Sequence, residues 1–144
     1  MRAAALWLLC AAVPAAMAAS AADRVTIDAN GHRILAEVAD TPGARDLGLM
    51  FRTAIPADHG MLFVYPNDAR HCMWMRNTYV PLSVAFLDEH RRVINTDEMA
   101  PRTDASHCAA RPARYVLEMP AGWFRQHGVG GGTPLDFTVA PAPR

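Results

Sequence analysis

Residues 60–65 read GMLFVY, an uninterrupted apolar run between a polar loop that ends at His59 and the turn-forming residues of segment 66–68. A short apolar run that is bounded by turn formers and includes a β-branched and two aromatic residues is typical of a buried strand. It therefore predicts the central strand of a β-rich domain.

A hairpin is predicted on the N-terminal side of this strand. Asn30-Gly31 separates two short apolar segments, Val25–Ile27 and Ile34–Val38. This dipeptide tolerates the positive φ angles of a tight two-residue turn. The two segments are therefore expected to pair as antiparallel strands.

Two brief helices are predicted. Thr41 fits the N-cap of the first helix, because Pro42 follows it in the first helical position. This helix is expected to run through Leu47 and to end at Gly48, a length of about two turns. Gly122–His127 is the second short helix.

Further strands are predicted along the rest of the chain, at His71–Met75, Leu82–Leu87, Val93–Ile94, Tyr115–Met119 and Leu135–Val139. Segment Asp97–Arg111 lacks periodicity and is rich in Pro, Asp, Thr and Ser, so it is expected to be irregular. No strand precedes a full crossover helix. The pattern therefore predicts a mainly β fold, a sandwich or barrel with one or two short helices, and disfavours a parallel α/β sheet.

Length and charge limit the classes of function. A chain of 144 residues is the size of one domain, which we place at residues 19–140, with 141–144 as a C-terminal tail. The chain has 14 basic and 14 acidic side chains, so its formal net charge is zero. A basic patch of the kind that binds nucleic acid is therefore not indicated.

The N-terminus has the pattern of a secretory signal peptide. Arg2 precedes an apolar run from Ala3 to Val13, and small residues follow at 15–18. Cleavage after Ala18 is expected, which predicts a periplasmic or secreted protein. The run is shorter than the roughly 20 residues of a spanning helix, so no membrane span is predicted.

Removal of residues 1–18 takes Cys10 away and leaves Cys72 and Cys108. An even pair of cysteines in an exported domain predicts a disulfide, with Cα atoms about 4.4 to 6.8 Å apart. The bond would tether the irregular Asp97–Arg111 segment. The rival reading is a metal site that uses both thiolates.

Several short motifs resemble those of domain-of-unknown-function family 192. They are VADT at 38–41, GLMFR at 48–52, GMLF at 60–63, MWMRNT at 73–78, PL at 81–82, FLD at 86–88 and ARYVLE at 113–118. The resemblance extends from about Val25 to Val139. It implies a compact β-sandwich of jelly-roll type, often exported in bacteria, and it implies no catalytic residues.

The best candidate for a binding groove is the segment Trp74, Met75, Arg76, Asn77 and Thr78. A tryptophan at a strand end can stack on a sugar, and the polar residues after it can supply the convergent groups of a pocket. The competing and commoner role is a buried tryptophan, with Asn77 and Thr78 hydrogen-bonding the turn.

Glu118 is unusual because it lies in an otherwise apolar strand. Together with Arg52 and Arg114 it completes the candidate site. The structural explanation, an ion pair with one of these arginines, is favoured over catalysis. Asp58 is the other carboxylate considered for chemistry.

Three functions remain open. The leading hypothesis is a non-catalytic binding module of the cell envelope that takes a small polar ligand, a glycan or an envelope protein, without a cofactor. The first alternative is a small envelope hydrolase that uses Glu118 or Asp58 with an arginine. The second is a copper- or zinc-handling protein, suggested by two His-Cys pairs and scattered methionines, although regular strand geometry separates His71 from Cys72.

Overall fold

The computed structural model describes residues 23–143. Seven strands form one mixed sheet in the order β6-β5-β8-β3-β2-β1-β9, and β4 and β7 form a second, two-stranded sheet. The strands are β1 Arg24–Ala29, β2 His32–Ala39, β3 His59–Ala69, β4 Cys72–Met73, β5 Leu82–Leu87, β6 Val93–Met99, β7 His107–Cys108, β8 Ala113–Pro120 and β9 Leu135–Asp136. The helices are α1 Pro42–Leu47 and α2 Trp123–Gln126.

The first hairpin is confirmed. Ala29 of β1 pairs with His32 of β2 across the two-residue turn. Asn30 and Gly31 have φ angles of 57° and 81°, and the Gly31 amide donates to the Asp28 carboxylate at 3.0 Å. Asn and Gly are the residues that adopt these left-handed angles at least cost, which is why the dipeptide located the turn.

The first helix is also confirmed. The Thr41 hydroxyl accepts a hydrogen bond from the Ala44 amide at 3.2 Å, and Gly48 ends the helix with a φ of 49°. This helix lies in the connection between β2 and β3, which pair in parallel. The sequence disfavoured a parallel α/β sheet, and this parallel pair forms without a full crossover helix, because a parallel connection needs only a dozen or more residues and the segment 40–58 supplies them.

Apolar side chains cover both faces of the large sheet. One core lies against α2 and includes Ile27, Leu62 and Leu117, and the other lies against the segment after α1 and includes Leu49 and Phe63. All six residues of β5 are buried. Ala142, in the segment expected to be a tail, is buried in the first core.

The mainly β class with two short helices is confirmed, but the arrangement differs from the expected sandwich of jelly-roll type. Seven of the nine described strands lie in one sheet that contains a parallel pair, and the second sheet has only two strands. A continuous apolar strand signals that both faces are covered. It does not say whether helices, loops or a second sheet cover them.

Strand bounds differ most where strands are polar. β6 continues to Met99, and β7 lies within the segment that was expected to be irregular. β6 is the last strand of the sheet, and its residues 96–98 are exposed. An edge strand with polar exposed residues carries little periodicity, so the sequence did not reveal it.

The disulfide between Cys72 and Cys108 is confirmed. The two cysteines are directly paired residues of β4 and β7, and their Cα atoms are 4.0 Å apart. This distance is slightly shorter than expected, because facing residues of an antiparallel pair approach closely. A disulfide is typical of an oxidising compartment. The expected signal peptide, residues 1–18, lies outside the described residues, and no described helix is long and apolar enough to span a membrane.

Candidate functional site

A pocket of about 330 Å³ opens beside α1. One wall is formed by α1 and the turn after it, a second by strand β3, and a third by the β4 segment. The lining residues are Arg45, Asp46, Leu47, Gly48, Leu49, Met50, Phe63, Tyr65, Cys72, Met73, Trp74, Thr78 and Glu118. The size is within the range of small-molecule sites.

Glu118 is the buried polar residue of the pocket. It faces the apolar partners Met61 on β3 and Val84 on β5, and only 4% of its surface is exposed. Burial raises the pKa of its carboxyl group to about 8. Among the hydrogen bonds and ion pairs of residues 23–143, none involves the Glu118 side chain. The pocket therefore contains a carboxylic acid that is largely protonated at neutral pH and has no protein partner.

Tyr65 and Arg45 form the polar wall next to Glu118. Nη1 of Arg45 donates to the backbone carbonyls of Asp40 and Val64 at 2.6 and 2.9 Å, and its guanidinium lies 5.1 Å from the Tyr65 ring centroid. Burial is the main reason that the pKa of Tyr65 rises to about 12. The Tyr65 hydroxyl is therefore a neutral donor at physiological pH, and Arg45 is held in place by the backbone.

Exposed apolar side chains lie at and beside the pocket. Four large hydrophobic side chains are exposed in the part of the chain that the structure describes: Leu47, Phe51, Trp74 and Tyr79. Leu47 and Trp74 line the pocket, while Phe51 and Tyr79 directly follow lining residues and pack edge to face at 6.2 Å. We call these four residues the apolar rim. Exposed apolar groups that are clustered in this way mark a contact surface.

The structure places Trp74 at the site and Met75 in the core. Trp74 is 47% exposed, so the expectation that it is buried was wrong, whereas Met75 is fully buried. Successive residues of an extended segment point in opposite directions, which explains the contrast. The guanidinium of Arg76 lies 4.3 Å from the Trp74 ring centroid and also pairs with Asp104 at 2.9 Å.

Asn77 and Thr78 form the predicted turn. Asn77 has a φ of 55°, and its carbonyl accepts from the Phe51 amide at 2.8 Å. Thr78 is buried and lines the pocket. The Met75 amide donates to the Thr103 carbonyl at 3.1 Å, so the 97–111 segment supports this turn from behind and contributes no lining residue.

The ion pairs expected for Glu118 are wrong. Arg52 makes a two-pronged pair with Glu37, in which both N–O distances are 2.7 Å. Arg114 pairs with Asp68 at 2.6 Å. Glu118 and Arg114 are four residues apart on β8, which is about 13 Å along the strand, and the register of β3 and β8 shifts between Val64 and Ala69. The shift changes the surroundings of the two ends of the strand.

Asp58 does not line the pocket. Its carboxylate accepts a hydrogen bond from the indole N–H of Trp123 at 3.1 Å, and Trp123 belongs to the core on the opposite face of the sheet. Of the two carboxylates considered for hydrolysis, Glu118 lines the pocket and Asp58 does not.

Sequence reasoning missed the contribution of α1 to the site. None of the residues of α1 is buried, yet Arg45, Asp46 and Leu47 form a pocket wall. One signal was available, because Leu47 is an apolar residue at the end of a short polar helix. Tyr65, at the end of an apolar strand, also fitted the usual role of a tyrosine with a buried ring and a reachable hydroxyl.

The soft-metal hypothesis loses its thiolates. Cys72 and Cys108 are bonded to each other, and His71 stacks on Tyr65 with ring centroids 3.5 Å apart. Within residues 23–143, no three His, Cys, Asp or Glu side chains are grouped as a metal site.

The comparisons with known proteins support the family. The profile of DUF192, described as "Uncharacterized ACR", matches residues 24–137. A Sinorhizobium meliloti 1021 protein described as a "putative transcription regulator" has 33% sequence identity and a TM-score of 0.74, with 79% of this chain and 92% of that chain covered. A protein of unknown function from Novosphingobium aromaticivorans DSM 12444 has 32% identity and a TM-score of 0.72, with 78% and 83% covered. No curated protein matches the chain. This chain belongs to the DUF192 family.

Proposed function

We propose that this chain is a non-catalytic binding module of the cell envelope and that the pocket beside α1 holds its small ligand. One observation carries the proposal: a buried carboxyl group without a protein partner, Glu118, lies in a pocket that Leu47 and Trp74 of the apolar rim also line. A buried polar group without a partner lowers stability, so a ligand that supplies the missing hydrogen bond gains binding energy there.

The chemistry of the walls favours a ligand with both an apolar and a polar part. Leu47 and Trp74 offer apolar surface at the mouth, whereas Tyr65 and Glu118 offer hydrogen-bonding groups deeper in the pocket. Pockets for small ligands commonly combine a mainly apolar lining with a few polar groups that fix orientation.

The proposed location and class of partner rest on the N-terminal sequence, the disulfide and the balance of charge. The signal-like N-terminus and the Cys72–Cys108 bond both favour export. The S. meliloti neighbour is described as a regulator of transcription. In this chain, however, 14 basic and 14 acidic side chains leave no excess of positive charge for binding nucleic acid.

Tryptophan fluorescence tests the proposal. Residues 23–143 contain Trp74 at the pocket and Trp123, which is buried in the other core. The mature protein should be screened against neutral sugars, amines, carboxylates and short peptides. At least one class should give a saturable change that disappears in Trp74→Phe.

The same compound should bind at least tenfold more weakly to Leu47→Arg, which fills the mouth with charge. Arg33→Ala is the matched control, because Arg33 is exposed on β2 and does not line the pocket. Binding that is unchanged in Leu47→Arg, or the absence of saturable binding across all classes, would contradict the proposal.

A hydrolase is the second candidate, favoured by the presence of two carboxyl groups in unlike surroundings. Asp46 is exposed and Glu118 is buried, and both line the pocket. Such a difference separates a general acid from an ionised partner. Turnover of chromogenic glycosides or esters that Glu118→Gln abolishes, with activity lost above about pH 8, would favour the enzyme; no turnover in either protein would favour the binding module.

A further inference from the structure

The arginines near the pocket all have other partners. Arg45 is held by two backbone carbonyls, Arg52 by Glu37, Arg76 by Asp104 and Arg114 by Asp68. None of these guanidinium groups donates to Glu118, although the carboxyl group is 4% exposed and lines the pocket. The pocket therefore contains a carboxyl group that none of these arginines pairs with.

The other groups that face Glu118 do not supply one. Strand β3 contributes Met61 and the neutral hydroxyl of Tyr65, strand β5 contributes Val84, and the β4 segment contributes Met73 and the disulfide. Helix α1 contributes Arg45 and Asp46, whose charges have opposite signs. Burial raises the pKa of Glu118, and within residues 23–143 no cationic side chain forms an ion pair with its carboxyl group.

The apolar rim is suited to a cation with an apolar body. The Arg76 guanidinium lies 4.3 Å from the Trp74 ring centroid, and the remaining exposed surface of the ring is open to the apolar part of a ligand. Phe51 and Tyr79 add two further exposed aromatic rings beside the mouth. Aromatic faces attract ammonium and guanidinium groups, and the attraction increases as water is excluded.

We propose that the pocket binds a primary amine, with the ammonium group at the Glu118 carboxyl and the apolar part of the ligand against Leu47 and Trp74. This inference rests on the proposed function and names the chemistry of its ligand. A free amine and the side chain of a lysine share this chemistry.

Binding is coupled to a proton. Below pH 8 the Glu118 carboxyl is mainly protonated, and an arriving ammonium favours the carboxylate. The O–H bond of Glu118 then breaks, its proton passes to solvent, and an ion pair forms with the ligand. Affinity for the amine should therefore increase up to about tenfold per pH unit as pH rises toward 8.

Isothermal titration calorimetry of the mature protein tests this at pH 6.5 with three matched probes: cyclohexylammonium, cyclohexanol and cyclohexanecarboxylate. The amine should bind at least tenfold more tightly than the alcohol. Titration in two buffers with different ionisation enthalpies should show the release of about one proton per amine, the stoichiometry expected for one ionising carboxyl group.

Two variants assign the effect to Glu118. Glu118→Gln keeps the shape of the side chain and should lose both the preference for the amine and the proton release. Glu89→Gln makes the same chemical change at an exposed carboxylate outside the pocket lining and should keep both. Thermal melting of each variant confirms that it is folded.

Two other outcomes overturn the inference. Tighter binding of the alcohol or the carboxylate contradicts the amine while the pocket remains a binding site. Retention of the amine preference and of the proton release in Glu118→Gln would show that the ammonium group does not bind at Glu118.

A final arm separates the two sources of an amine. The peptide Ac-Ala-Lys-Ala-NH2 should be titrated beside cyclohexylammonium. Tighter binding of the peptide assigns the amine to a protein side chain, and tighter binding of the free amine assigns it to a small molecule.

Discussion

Glu118 on β8 is directly paired with Met61 on β3, so an ionisable side chain occupies a position within a row of apolar core residues. Neighbouring residues of paired strands share one face of the sheet. The carboxyl group is therefore held in the core by the strand register.

The stability of the protein should decrease as pH rises. The pKa of Glu118 increases from an ordinary 4.5 to about 8 on folding, so the folded state binds more protons than the unfolded state between these values. Its contribution is fully present below pH 4.5 and is lost as pH rises toward 8. In Glu118→Gln this slope, about 1.4 kcal/mol per pH unit, should be absent.

Urea unfolding of both proteins at several pH values measures the effect. Comparing the difference between them removes the contributions of groups that titrate equally in both, such as His71, whose pKa burial lowers. Parallel pH profiles for the two proteins would show that Glu118 does not titrate in this range.

The ion pair between Arg52 and Glu37 should contribute measurably to stability. Both oxygens of Glu37 accept from Arg52, and the side chains are 37% and 22% exposed. A double-mutant cycle with Arg52→Met and Glu37→Gln should give a coupling energy of roughly 1 kcal/mol. Because the Arg52 hydrogen bond lowers the pKa of Glu37, this coupling should be lost only as pH falls through that lowered value.

The pair between Arg76 and Asp104 provides the control. Its side chains are 51% and 68% exposed, and its coupling energy should be close to zero. Equal coupling energies in the two cycles would show that partial burial does not strengthen the pair between Arg52 and Glu37.

Substitutions at the neighbouring residues Trp74 and Met75 should differ in their effect on the free energy of unfolding, because Trp74 belongs to the apolar rim and Met75 to the core. Met75→Ala creates a cavity in the second core and should lower the free energy of unfolding by about 2–5 kcal/mol. Trp74→Ala removes a half-exposed ring and should change it by less than about 1 kcal/mol, because Trp74 is 47% exposed and lies outside both cores. Thermal or urea unfolding measures both. A loss in Trp74→Ala as large as that in Met75→Ala would place Trp74 in the core.

Removal of the disulfide should loosen one wall of the pocket. Cys72 lines the pocket, and its bond to Cys108 closes a loop with a sequence separation of 36. The double variant Cys72→Ser/Cys108→Ser should lose about 3–4 kcal/mol of stability. Hydrogen exchange should increase first in β4 and β7 and only later in β3 and β8. Uniform loss of protection would show that the bond stabilises the whole sheet.

Export should remove residues 1–18. The intact mass of periplasmic protein should correspond to a chain that begins at Ala19, because the charged, apolar and small-residue segments have the order of a cleavable signal. Thiol counting on the denatured protein without reductant provides a second readout. No free thiol is expected, since Cys10 has left, and a free thiol with the full mass would show that the segment is retained.

Local signals in the sequence determined the elements that local interactions form. Asn30-Gly31 located a hairpin and Thr41-Pro42 located a helix start, since turns and caps depend on residues that are adjacent in the chain. The mainly β class, the disulfide pair and the family motifs were likewise readable from spacing and residue type. Strand β5 matched its predicted bounds, Leu82–Leu87, because every residue in it is buried and all except Ser83 are apolar.

Only the tertiary structure decided how these elements meet. The parallel pairing of β2 with β3, the exposure of Trp74 and the separation of Glu118 from Arg52 and Arg114 all depend on strand register and on contacts between distant segments. A shift of one residue moves every side chain of a strand to the other face, and a sequence pattern does not record which partner strand sets that register. The sequence named Trp74 and Glu118 as candidate residues, but the pocket that both line is formed by α1, β3, β4 and β8, which only the fold brings together.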